Sequence, residues 1–291
     1  MGKLFFDKVT ILGVGLIGGS FAMALKESGL CGLITGCGRN RENLKTAKAR
    51  GIIDSFDSDP ASACAGADLV FFSTPVGSFT RLGELIRPSL KKGAIVTDGG
   101  SVKGSLVYEM EKLMPGGVRY VGGHPIAGSD RSGIDASQAA LFRNAKCILT
   151  PTKDTDRDAL SDLSDMWTAL GACVIRMSPE RHDRIYAAVS HLPHLLAYAL
   201  VNSVAGADPE FLAFSGQGFI DMTRLAASSG EVWRDICILN RENLLEAVSD
   251  FRRKLDFLSV CLEKADGASL ETEFINAGNL REKMRETIGQ D

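Results

Sequence analysis

Gly13-Val14-Gly15-Leu16-Ile17-Gly18 is the stretch on which the fold turns. It matches G-x-G-x-x-G, a weak signal by itself. Here Lys8 to Gly13 (K-V-T-I-L-G) reads as a strand and Leu16 to Glu27 as a helix, so the glycines occupy a strand-to-helix turn. Gly13 permits the tight turn and Gly15 lets backbone approach a pyrophosphate. Gly18 allows close helix–strand packing, and the N–H groups of the opening helical turn, at Leu16 and Ile17, are free for phosphate oxygens. A glycine-rich turn with no ligand is the plainer alternative. The strand–turn–helix context favours a dinucleotide.

The pattern repeats outward from this turn. Leu33 to Cys37, Asp68 to Ser73 (D-L-V-F-F-S), Ala94 to Thr97 and Val118 to Val121 read as strands. Arg41 to Ala49, Phe79 to Ile86 and Val102 to Met114 read as helices between them. Cys147 to Thr150 and Cys173 to Arg176 continue the strands more weakly. Strands alternating with helices imply right-handed βαβ units and a parallel sheet covered on both faces. After Pro179 the character changes: Glu180 to Asn202, Val232 to Leu262 and Leu280 to Thr287 have helical periodicity. The predicted fold is α/β: an N-terminal Rossmann-type, mostly parallel sheet over residues 1–178, then an all-helical domain over 179–291.

Composition narrows the function classes. The chain has 291 residues, 45% hydrophobic and 24% charged, which is ordinary globular composition. Its net charge of −3 offers no electrostatic case for nucleic acid. No apolar run reaches the roughly 18 residues of a membrane span, and Asp7 and Lys8 interrupt any signal-peptide core. Seven cysteines with no C-x-x-C pair argue against a disulfide framework or a cysteine zinc site. The expectation is a reduced, cytoplasmic protein bound to neither membrane nor nucleic acid.

The second strand refines the cofactor. NAD sites place an acid about 20 residues beyond the glycines, on the ribose 2′-hydroxyl. Gly38 stands there, followed by Arg39, whose planar fork suits a 2′-phosphate. The pair favours NADP+ over NAD+, with a solvated Arg39 as the alternative. Three further segments fall at strand ends, where such sheets bind ligands: Ser73-Thr74-Pro75-Val76, Asp98-Gly99-Gly100-Ser101-Val102-Lys103 and Gly122-Gly123-His124-Pro125-Ile126-Ala127-Gly128. His124 is one of only four histidines and could take a proton as hydride leaves the same substrate carbon. Ser101 could bond the reacting oxygen or His124. A loop histidine capping carbonyls is the alternative.

In the helical half, His191 and His194 lie three apart on one helix face, with Pro193 between them predicting a kink. No third ligand accompanies them, so no metal is expected. Asp221 and Arg224 either form a helix-surface pair or leave Arg224 for a substrate carboxylate. Trp233-Arg234-Asp235 stands just beyond.

Taken in order, these blocks resemble the prephenate and arogenate dehydrogenases of tyrosine biosynthesis. The residues carrying the resemblance are Gly13 to Ser20, Ser73 to Val76, Thr97 to Lys103, Gly122 to Gly128, Ser190-His191-Leu192-Pro193-His194, Asp221 to Arg224 and Trp233 to Asp235. The resemblance implies NAD(P)+-dependent oxidative decarboxylation of prephenate or arogenate by a homodimer joined through the helical domain. It implies that His124 takes up the proton of the ring hydroxyl with support from Ser101. It also implies that Arg224 holds a substrate carboxylate, with Ser190 and His194 lining that pocket and Trp233 reaching into the partner's site. Asp221 lies near the place that helps separate the two substrates in the family. Gly38, Gly100 and Asp130 depart from residues common among relatives, which carry an acid, a bulkier polar residue and Glu there. Two other classes stay open: a 3-hydroxyacid-type dehydrogenase, which would use a lysine early in the helical domain where none lies between Lys153 and Lys254, and a non-enzymatic dinucleotide sensor.

Overall fold

The structure, a computed structural model, describes residues 5–128 and 133–288. Asp130 and the first four residues lie outside them. The first part alternates β1 (Phe6–Leu12), α1 (Leu16–Glu27), β2 (Cys31–Cys37), α2 (Arg41–Ala49), β3 (Ser55–Asp57), α3 (Pro60–Cys64), β4 (Leu69–Phe72), α4 (Phe79–Ile86), β5 (Ile95–Asp98), α5 (Gly104–Leu113) and β6 (Arg119–Pro125). Then come β7 (Lys146–Thr150), α6 (Arg157–Ala169) and β8 (Cys173–Arg176). These eight strands form one sheet in the order β3-β2-β1-β4-β5-β6-β7-β8. β1 is flanked by β2 and β4, so the order reverses there and a crevice opens above the carboxyl ends of β1 and β4.

The sheet is parallel except between β6 and β7. β6 changes partner along its length. Arg119 to Val121 pair with β5, and Gly122 to Pro125 pair antiparallel with β7. The two glycines make this possible: a Cβ on Gly122 would lie 2.5 Å from Thr150 Oγ1, and one on Gly123 would lie 2.7 Å from the Asp98 carbonyl oxygen. His124 therefore sits inside a strand, opposite Ile148, and not in a loop after Val121 as the sequence pattern predicts.

Successive residues of a strand face opposite sides, and β4 uses both. Phe71 joins the core on one face, stacked at 4.1 Å on Phe21 with Trp167 beside them. Phe72 joins the core on the other, against Phe79. The sequence pattern does not predict β3 or α3, because three residues of strand and five of helix are too short to show a period. Asp59 starts α3 by accepting from the Ser62 amide ahead of Pro60, an N-cap followed by proline at the first helical position.

From Pro179 on, the regular elements among the described residues are helical: α7 (Pro179–Tyr186), α8 (Leu192–Ala207), α9 (Gln217–Thr223), α10 (Gly230–Leu239), α11 (Arg241–Glu263) and α12 (Gly267–Ile288). α7 and α8 are one rod joined by a π-helical turn, Ala187–His191. Pro193 has no N–H and its ring would crowd the carbonyl of Val189, so the chain widens there. The disturbance predicted at Pro193 thus lies one turn earlier and takes the form of a π turn.

Candidate functional site

The crevice above β1 and β4 has a volume of about 630 Å³. Gly13 enters it at φ +97°, a left-handed conformation, and a Cβ there would lie 2.7 Å from the Ser73 carbonyl oxygen. A Cβ on Gly15 would meet nothing within 4 Å, so its open side faces the crevice where a ligand backbone can approach. A Cβ on Gly18 would fall 2.1 Å from the Gly13 carbonyl oxygen, which enforces glycine where α1 crosses the turn. Leu16 and Ile17 form the first turn of α1, and Gly15 at the N-cap brings no side-chain bond to their amides. The features of a pyrophosphate cradle are all present.

Two of the loop residues named for the cofactor hold the cradle itself. Ser73 Oγ donates to the Gly13 carbonyl at 2.5 Å. Thr74 Oγ1 bonds Ser78 Oγ at 2.8 Å, and that hydroxyl donates onward to the Pro75 carbonyl. Asn43, which carried no motif, donates from Nδ2 to the Val14 carbonyl at 2.5 Å and pins the turn from α2. At the outer end of the crevice, a Cβ on Gly38 would meet nothing nearer than Leu44 Cδ2 at 3.9 Å. Arg39 stands beside that space, 81% exposed, with Glu231 of α10 at 3.8 Å.

Further along the sheet edge, all four histidines gather. His124 Nδ1 lies 2.8 Å from His182 Nε2, and His182 Nδ1 lies 2.7 Å from Asp183 Oδ1. Asp183 Oδ1 also accepts the Lys103 amide at 2.8 Å. His191 is fully buried, and Asn240 Nδ2 reaches both its Nδ1 at 3.1 Å and the Asp183 carbonyl at 2.8 Å. His194 stacks on Trp233 with centroids 3.5 Å apart, and its Nδ1 donates to the Ser190 carbonyl at 3.0 Å. Tyr186 packs against both His124 and His182. Burial drives the His124 pKa well below its ordinary value, helped by the charge of Lys103, and takes His182 down to about 2. Both rings are neutral at pH 7.

Under this row lies a buried ion pair. Lys103 Nζ bonds Asp98 Oδ1, and both side chains are fully buried. Asp98 is completed by the Gly100 amide at 2.7 Å, the Tyr120 hydroxyl at 2.6 Å and the Gly123 amide at 3.2 Å. The pair ties the end of β5 to β6 and to the start of α5. Gly100 is dictated by packing here, because a Cβ would lie 2.7 Å from Val76 Cγ1.

The other named residues fall as follows. Ser101 precedes Lys103 by two residues; burial lowers the His191 pKa to about 4, and the Asp183 charge and the Ser101 backbone oppose that. The inward nitrogen of His124, Nδ1, is taken by His182, and its Nε2 is the nitrogen left for other partners. Arg224 opens a short helical turn, Arg224–Ala227, near enough to His194 that its charge depresses that ring's pKa, after burial and against the Ser190 carbonyl bond. Asp221 is exposed on α9, where its Oδ1 accepts from Gln217 at 2.8 Å. Trp233 stacks on His194 of its own chain and meets the His191 ring edge-on. The described residues hold no group of three or more His, Cys, Asp or Glu side chains able to bind a metal.

His182, Asp183, Tyr120 and Asn240 belong to none of the sequence motifs, and Asp98 and Lys103 enter there only as the ends of a strand-end segment, not as a pair. The one available signal was His182-Asp183 at the start of a helix, two titratable neighbours directly after the last strand.

Known proteins resemble the whole chain. A family model described as the prephenate dehydrogenase nucleotide-binding domain matches residues 21–176, and one described as the prephenate dehydrogenase dimerization domain matches 178–276. Prephenate dehydrogenase of Bacillus subtilis is 34% identical over 282 residues, covering 96% of this chain and 76% of that protein. Cyclohexadienyl dehydrogenase of Zymomonas mobilis is 34% identical over 275 residues, covering 92% and 93%. Among solved structures, prephenate dehydrogenase from A. aeolicus, in complex with hydroxyphenyl propionate and NAD+, superposes with a TM-score of 0.87 at 38% identity over 100% of both chains.

Proposed function

The chain belongs to the prephenate dehydrogenase family and is an NAD(P)+-dependent oxidoreductase of tyrosine biosynthesis, and from that premise we propose that it oxidatively decarboxylates prephenate or arogenate with His124 as the general base. The observation that carries this reading is the convergence of all four histidines beside the dinucleotide crevice, with His124 neutral.

The chemistry asks little of the protein beyond position and one base. A dinucleotide held by the Gly13–Gly18 turn would supply the hydride acceptor for the ring carbon that bears the hydroxyl. His124 takes the hydroxyl proton as that hydride leaves. The bond to the ring carboxylate then breaks, its electron pair enters the ring, and CO₂ departs. The resulting phenolate recovers the proton from His124, so the base is regenerated and the product is 4-hydroxyphenylpyruvate or tyrosine. Arg224 binds a substrate carboxylate, while His194, Trp233 and Ser190 wall the pocket. Asp221 tunes substrate choice from the exposed rim of α9. Ser101 supports the contact to the reacting hydroxyl.

For the cofactor we propose NADP+ as the preferred form. The open space at Gly38 beside an exposed Arg39 supports a 2′-phosphate, and no carboxylate side chain at position 38 competes for it. We further propose a cytoplasmic homodimer formed through the helical domain. No helix among the described residues is long and apolar enough to cross a membrane.

Initial rates of reduced-cofactor formation test the reading, crossing prephenate and arogenate with NAD+ and NADP+. Turnover with at least one pairing is expected, faster with NADP+. Folded protein that binds cofactor but turns over none of the four pairs would overturn it in favour of a sensor.

A further inference from the structure

We infer that His182 and Asp183 form a positioning relay that sets the tautomer of His124, leaving its Nε2 as an unprotonated acceptor toward substrate. This rests on the reading of His124 as the base. A carboxylate oxygen only accepts, and Asp183 Oδ1 lies 2.7 Å from His182 Nδ1 and 2.8 Å from the Lys103 amide. His182 Nδ1 is therefore the protonated nitrogen. A neutral imidazole carries one N–H, so His182 Nε2 is a lone pair, and it lies 2.8 Å from His124 Nδ1. His124 Nδ1 must then be its donor, and the free lone pair of His124 falls on Nε2. Without this chain either tautomer of His124 is accessible, and only one can receive a proton from the substrate.

The surroundings hold each member in place. The Asp183 carboxylate is boxed by the Lys103 and Gly104 amides at the start of α5, by His182 on its own helix and by His191 from the π turn, with the charge of Lys103 behind. Asn240 grips the Asp183 carbonyl. His182 is completely buried and Asp183 almost so, which excludes water from the relay. Burial raises the Asp183 pKa to about 6, above which the carboxylate is ionised and accepts only. Below that pH a protonated Asp183 donates to His182 and the tautomers reverse.

Asp183→Leu is the sharpest test. Asp183 Oδ1 accepts from both His182 Nδ1 and the Lys103 amide, so an amide oxygen at that place would keep both bonds, whereas Leu leaves His182 Nδ1 without its acceptor and frees both imidazoles to take either tautomer. In the serine protease triad, imposing the wrong histidine tautomer lowers kcat by about 10⁴. The expected loss here is about tenfold or more in kcat, with KM for substrate and cofactor changed less than about threefold. Imidazole ¹⁵N NMR should show His124 unprotonated at Nε2 in the unaltered protein and partly protonated there in D183L. The acid limb of the kcat–pH profile, expected near pH 6, should vanish in D183L. Two further variants decide the matter if D183L does not fold. His182→Gln places an amide oxygen near the Nε2 position and should keep kcat within about tenfold, whereas His182→Met offers no good acceptor and should lose about 10²-fold or more. Equal activity of H182Q and H182M, or unchanged kcat and tautomer in D183L, would overturn the relay. If the unaltered protein shows no turnover with any substrate pairing, the dehydrogenase reading fails, and the NMR tautomer still tests the relay separately.

Discussion

His124 is neutral because burial and neighbouring positive charge disfavour its protonation, and a base must start neutral to take a proton. Replacing it with Asn removes the acceptor while keeping a small polar side chain. The expected result is a kcat about 10²–10⁴-fold lower with cofactor affinity unchanged, measured by steady-state rates and by quenching of protein fluorescence on titration. Equal rates would mean another group takes the proton. Arg39 gives a second residue-scale expectation. Arg39→Ala should raise KM for NADP+ about tenfold, roughly 1.4 kcal/mol, and leave KM for NAD+ nearly constant. A parallel rise for both cofactors would assign Arg39 to the pyrophosphate or to α10 and not to a 2′-phosphate.

At the scale of elements, the site depends on two local departures from regular structure. β6 exchanges partners at its glycine pair, which turns His124 toward α7. The π turn ahead of Pro193 shifts the faces that carry His191 and His194 relative to α7. The Asp98–Lys103 pair locks β5, β6 and α5 beneath them, with both charges out of water. Removing one partner of a buried pair leaves an uncompensated charge, at a cost of about 3–5 kcal/mol. Lys103→Met should lower unfolding stability by that much in urea denaturation. Adding Asp98→Asn should restore part of it, because the stranded charge is gone. If K103M alone costs under about 1 kcal/mol, Asp98 reaches water or takes a proton instead.

For the whole molecule, the contrast between the two halves is instructive. The sheet is covered on both faces by apolar clusters, while the long helices leave large apolar side chains exposed. On α11, Phe251, Leu255 and Leu262 recur at helical spacing on one side and are 37%, 50% and 68% exposed; Phe274 and Leu280 of α12 are exposed as well. Exposed apolar side chains repeated along one helix face are the pattern of an interface, and a second copy of the chain is the proposed cover. Sedimentation at micromolar concentration should give a dimer. Leu255→Glu with Leu262→Glu should shift it to monomer while leaving the thermal unfolding of the sheet domain nearly unchanged. A monomer before any substitution would remove the dimer proposal.

The α/β class, the glycine turn and the change to helices after Pro179 were legible in the sequence because each is a local property. Apolar periodicity, a glycine at a required backbone angle and a proline are written within a few neighbouring residues. The named site residues were legible only as candidates, marked by residue type at predicted strand ends. Their partners were not. His124 meets His182 across 58 residues of chain, and Lys103 meets Asp98 only because a turn folds a long side chain back under its own strand. The β6 exchange depends on what a Cβ would strike in a neighbouring strand, and Trp233 chooses His194 through the packing of α10. These depend on which elements become neighbours, and burial then makes the resulting hydrogen bonds obligatory. The sequence by itself determined the sheet, the dinucleotide turn and the set of candidate groups; the tertiary structure decided which nitrogen of which histidine faces which partner, because proton positions follow from contacts between distant parts of the chain.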